Sequence, residues 1–187
     1  MAAFRPGEEI DARVLAEYLR GKLEGVEHGL EIEQFPGGHS NLTYLLRAGD
    51  CEYVLRRPPL GPVAPRAHDM AREYAVLRAV HPCFGRAPAA FCLCEDAAVI
   101  GAVFFVMERR HGVVLRTEVP AGYGSAPDFG ARVSQAFVDC LAELHAVDVS
   151  GIFLGKPAGF LERQVRGWAE RWERQARSSQ WMCSKRW

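Results

Sequence analysis

Gly37, Gly38, His39, Ser40 and Asn41 form a short polar turn, and an arginine, Arg56, follows on the next strand-like stretch but one. Glycines let backbone N–H groups approach an anion with no side chain in the way, so such a turn can cradle phosphate oxygens. A plain hairpin turn accounts for the same residues without any ligand. Within Val54-Leu55-Arg56-Arg57, strand alternation puts Val54 and Arg56 on one face and Leu55 and Arg57 on the other. A guanidinium on the face of the turn can grip phosphate through two nitrogens; an exposed strand arginine is the alternative. Glu73, in a later helical stretch, is a carboxylate suited to hold that cation, or a solvated neighbour of Arg72 and Arg78. His39 reads as a solvent-facing loop histidine.

The elements that must position these groups follow from periodicity. Ile10, Val14, Leu15, Tyr18, Leu19 and Leu23 recur at helical spacing and predict an amphipathic helix over 10–24, ended by Gly25 and Gly29. Alternation predicts strands over 30–35, 42–48 and 52–57, the last two joined by Gly49-Asp50, both of which tolerate positive φ. Prolines 58, 59, 62 and 65 cannot continue a sheet. A helix over 66–80 follows, with Met70, Tyr74 and Leu77 on one face, then strands over 91–95 and 103–108 around Gly101. The order predicts an α+β fold: an antiparallel sheet of about five strands with a packed helix. After a Gly- and Pro-containing connector over 114–125, Phe129, Val133, Phe137, Leu141 and Leu144 predict one long helix. Leu161, Val165, Trp168 and Trp172 predict another. The composition changes after Glu108, so the expected units are 1–108, 109–176 and a tail over 177–187 that fits neither period.

Lys+Arg and Asp+Glu both total 23, so no basic excess points to nucleic acid. No apolar run is long enough to predict a membrane span, and the first residues lack a secretory pattern. Cys92 and Cys94 share a strand face but have no second Cys/His pair at zinc spacing, so no metal site is predicted. Reduced thiols in a cytoplasmic protein are the expectation.

GHSNLTYLL, YVLRRPP, PRAHDMAREY, DAAVIGAVFFVMER and LAELHAVD occur in that order. Together they resemble the aminoglycoside phosphotransferase family, kinase-like enzymes, and in particular the phosphotransferase domain fused to acyl-CoA dehydrogenase-like domains. The resemblance covers roughly residues 10–176 and implies a protein-kinase-like amino-terminal lobe followed by the first helices of an α-helical lobe. It implies ATP (or GTP) with Mg2+ as the nucleotide and a small-molecule hydroxyl, hydroxyacyl-type, as acceptor. It further implies that Gly37, Gly38, Ser40 and Asn41 cover the phosphates and that Val54 lies under the base. Arg56 stands where protein kinases carry lysine and would be held by Glu73. Met107 and Glu108 would border the base, with the backbone of Glu108 and Arg110 supplying hydrogen bonds.

One departure matters for chemistry. The family's His-Gly-Asp loop is followed by an asparagine that ligates metal, yet Asn41 is the only asparagine among the 187 residues. The 145–148 segment has the wrong spacing, and Asp128 in Asp128-Phe129-Gly130 reads as a helix cap. The expectation is therefore a carboxy-terminally truncated family member without catalytic residues or a metal site, and with weak nucleotide binding at most. A non-catalytic, pseudokinase-like nucleotide-binding or interaction module is the alternative, and a scaffold that binds nothing is a third reading.

Overall fold

The computed structural model describes residues 4–36, 41–59, 68–115, 119, 122–123, 126, 128–151 and 158–183. Strands β1 (Glu31–Gln34), β2 (Leu42–Ala48), β3 (Cys51–Arg57), β4 (Ala90–Cys94) and β5 (Phe104–Glu108) form one sheet in the order β1-β2-β3-β5-β4. Every pairing is antiparallel. Helices α1 (Ala12–Leu19) and α2 (Met70–Val80) accompany it, and α3 (Phe129–His145) and α4 (Phe160–Cys183) follow. Internal contacts group residues 1–152 as one unit and 153–187 as a second. Among the described residues no helix is long and apolar enough to cross a membrane.

Period-two alternation sorts the sheet into two faces. Tyr44, Leu46, Tyr53, Leu55, Phe104, Val106 and Cys94 point to one side and pack with Leu15, Leu19, Leu23 and Val26 into the main core. Arg57 lies on that same side, 2% exposed. On the other side Thr43, Arg56 and Phe105 stand in register across β2, β3 and β5, as do Leu45, Val54 and Met107. Tyr74 of α2 packs against Phe105 with ring centroids 6.3 Å apart, so α2 covers part of this second face.

Several boundaries differ from the sequence reading for local reasons. Helix α1 stops at Leu19, five residues before the expected end. Gly21 takes a φ of +73°, and the Lys22 and Leu23 amides both donate to the Leu19 carbonyl. Leu23 keeps its place in the core, so the apolar spacing outlasts the helix that suggested it. In the β2–β3 turn Gly49 uses the positive φ that both turn residues tolerate, and Asp50 does not. Helix α4 runs on to Cys183, into the stretch for which no element was expected.

The start of α2 is set by Asp69, whose Oδ1 accepts from the Arg72 amide at 2.9 Å. His68 precedes it at φ +61° and is not helical, although a helix was expected over 66–80. Asp128 occupies the N-cap position of α3, but its side chain makes no capping bond.

Candidate functional site

A cleft of about 470 Å3 opens between α2 and the second face of the sheet, within the size range of small-molecule sites. Arg56 (β3) and Phe105 and Met107 (β5) come from the sheet, and Arg72, Glu73, Val76 and Leu77 come from α2. His68, Asp69 and Pro88 complete the wall. The sheet thus offers a flat apolar strip ending in a guanidinium, and the helix lays a charged first turn beside it.

Arg56 Nε lies 3.0 Å from Glu73 Oε2, with both side chains about a third exposed. The Nε–H makes no hydrogen bond of acceptable angle, so this is a close ion pair and not an aligned bond. A pair this exposed contributes only about 0–1 kcal/mol to stability. Its consequence is positional, since it holds the guanidinium at the cleft wall. The other carboxylate oxygen, Oε1, accepts from Asn41 Nδ2 at 3.1 Å. Arg72 lends its backbone amide to Asp69, while its guanidinium enters no ion pair among the described residues. It brings a second cation to the cleft.

Of the residues singled out from sequence, the structure brings Arg56, Glu73 and Met107 into this cleft and places Asn41 directly behind Glu73. Val54 is 7% exposed and neighbours Met107 across the sheet. Gly37, Gly38 and Ser40 lie outside the described residues. The side chains of Glu108 and Arg110 do not line the cleft. The Glu108 amide donates to the Ala89 carbonyl at 2.8 Å, and its carboxylate accepts from the Ala89 amide at 3.0 Å. The Arg110 guanidinium pairs with Glu108 and donates to the carbonyls of Gly85 and Ala87. These two side chains brace the segment that carries Pro88, so they shape the cleft from outside it.

His68, Asp69, Arg72, Val76, Leu77, Pro88 and Phe105 were not assigned from sequence. Arg72 with Val76, and Glu73 with Leu77, are four-residue repeats on one stripe of α2. That spacing was a usable signal. His68 had none, because its partner Asn41 is 27 residues away.

No three His, Cys, Asp or Glu side chains gather as a metal centre among the described residues.

Residues 31–186 match the model of the phosphotransferase enzyme family. Human acyl-CoA dehydrogenase family member 11 is 33% identical over 181 residues, which is 92% of this chain and 23% of that protein. Mouse acyl-CoA dehydrogenase family member 10 is 32% identical over 169 residues, 88% of this chain and 16% of that one. The chain thus spans less than a quarter of either relative's length. Among solved structures, the "putative aminoglycoside phosphotransferase" of Ralstonia eutropha JMP134 aligns with TM-score 0.66 and 31% identity. The alignment covers 88% of this chain and 48% of that one. The five-stranded antiparallel sheet with its helices is the kinase-like fold of that enzyme class.

Proposed function

That this chain belongs to the phosphotransferase enzyme family is the premise from which we propose that its sheet-forming part, residues 1–108, binds a nucleoside triphosphate. The observation that carries this reading is the Arg56–Glu73 ion pair at 3.0 Å on the wall of the cleft. A cation fixed by a helix carboxylate beside an apolar strip meets both halves of a nucleotide. Arg56 and Arg72 face the phosphates, and Val54, Phe105 and Met107 lie toward the base.

The family reaction, phosphoryl transfer from ATP (or GTP) to a small-molecule hydroxyl, needs a base and metal-ligating residues beyond this cleft. The one asparagine of the chain is bonded to Glu73, behind the phosphate-side cation, and so does not serve as a catalytic-loop ligand. We therefore assign to these 187 residues nucleotide binding without turnover, in the manner of a pseudokinase-like module in the cytoplasm. The names of the relatives favour a hydroxylated acyl compound as the acceptor of the complete family member.

Calorimetric titration of the 187-residue chain with ATP and with GTP tests this. Binding is expected, weakened about tenfold by Arg56→Ala, the loss of roughly one charge-assisted phosphate contact. Absence of binding, or equal affinity in the variant, overturns the reading. Steady phosphate transfer from labelled ATP to a hydroxylated acyl compound would overturn the assignment of no turnover.

A further inference from the structure

Four residues from separate parts of the chain are linked side by side: His68, Asn41, Glu73 and Arg56. The direction of each bond follows from chemistry. Glu73, ion-paired with Arg56, offers only acceptors to its surroundings, so the Asn41 group facing it at 3.1 Å is the NH2. That turns the amide oxygen Oδ1 toward His68, whose Nδ1 it meets in a short contact. An amide oxygen cannot donate, so His68 Nδ1 carries the hydrogen. Glu73, acting through Asn41, thereby fixes the tautomer of a histidine that lines the cleft.

The other ring nitrogen, Nε2, makes no hydrogen bond among the described residues. In the neutral ring it presents a lone pair to whatever occupies the cleft; in the imidazolium it presents an N–H. The charged groups lining the same cleft are Arg56 from β3, the N-cap Asp69, and Arg72 and Glu73 from the first turn of α2. Both carboxylates are already engaged, Asp69 by the Arg72 amide and Glu73 by Arg56 and Asn41. An anionic ligand therefore meets two guanidinium groups and the imidazole edge. His68 takes a left-handed backbone, φ +61°, one residue before the N-cap Asp69 of the helix that follows.

We propose that His68 is a proton-dependent phosphate ligand of this cleft, donating from Nε2 to a nucleotide phosphate only as the imidazolium. The proposal rests on the nucleotide reading above. Its sign is definite: affinity is highest where histidine is protonated and falls as pH rises through the histidine range. Protonation of ATP itself acts in the opposite direction and is common to all variants.

Calorimetric titration of the full 187-residue chain with ATP, between about pH 5.5 and pH 8.5, compares the wild type with His68→Asn. Asparagine tolerates the left-handed backbone and does not titrate. The wild type should lose about tenfold more affinity across that range than the variant, the fold-change of one charge-assisted hydrogen bond. Parallel profiles overturn the role of His68 and leave nucleotide binding intact. No binding by either protein at any pH overturns the nucleotide reading and this inference with it. Imidazole 15N resonances of the wild type give a second reading, independent of the variant's folding. Above the histidine titration His68 should carry its proton on Nδ1, and a proton on Nε2 overturns the proposal.

Discussion

The Arg57 guanidinium donates to the Ile100 backbone carbonyl at 3.0 Å, buried beneath the same sheet whose opposite face carries Arg56 at the cleft. Two adjacent arginines thus have separate jobs, and substitution separates them. Arg57→Ala leaves a carbonyl without its donor and a void in the core, costing about 2–4 kcal/mol. Arg57→Met should cost less, because the buried Arg57 Nε has no hydrogen-bond partner and its desolvation is then avoided. Arg56→Ala should cost no more than about 1 kcal/mol. Urea denaturation of the three variants checks the order, and equal losses for the two alanine variants would contradict the face assignment.

Gly25 sits at φ +80° beneath the end of β2, where an added Cβ would lie 2.1 Å from the Ala48 carbonyl oxygen. Gly101 has the same φ with nothing within 4 Å of its Cβ position. Backbone strain is shared, and the clash is not. Gly101→Ala should cost about 1–2 kcal/mol from the left-handed backbone alone. Gly25→Ala should cost about 1–3 kcal/mol more, since strand backbone must shift. Thermal melts of both variants measure the difference, and a gap of zero would mean that β2 moves freely there.

Helix caps give a similar contrast. Asp11 accepts from the Arg13 amide at 2.8 Å and Asp69 from the Arg72 amide at 2.9 Å, whereas Asp128 caps nothing with its side chain. Alanine at position 11 or 69 should lower stability by about 1 kcal/mol. Alanine at position 128 should change it by less than about 0.5 kcal/mol. Denaturant midpoints of the three variants decide this.

The β2–β3 hairpin was legible because two signals agree there, period-two burial and a glycine-led two-residue turn. The opposite faces of Arg56 and Arg57 follow from the same alternation. Helix α1 was overread because Leu23 continues the apolar spacing while the chain has already turned at Gly21. Residues 177–183 lack the apolar repeat that would signal an element, yet the helix extends through them. In the cleft, what escaped the sequence depends on distant partners. Asn41 reaches Glu73 across 32 positions, and Arg110 reaches Gly85 across 25. No local pattern encodes either contact, so the sequence suggests Asn41 as a phosphate-covering turn residue and Arg110 as a backbone donor.

Alkaline pH should weaken the core side of the sheet, with a sign set by burial. Burial pushes the Cys92 thiol from 9.0 up to about 11. Burial likewise pushes the Tyr53 hydroxyl from 10.0 up to about 12. Each group keeps its proton in the folded chain at pH values where the unfolded chain has released it. Stability from these groups is therefore complete below pH 9 and declines as pH rises, across 9–11 for Cys92 and 10–12 for Tyr53. Urea midpoints measured upward from pH 8 should begin to fall near pH 9, and Cys92→Ala should flatten the curve between 9 and 10. An unchanged slope in that variant would place the alkaline transition elsewhere. Thiol labelling gives an independent measure of the same burial. Cys83 is exposed and should react ahead of Cys92, which trails it until the sheet opens.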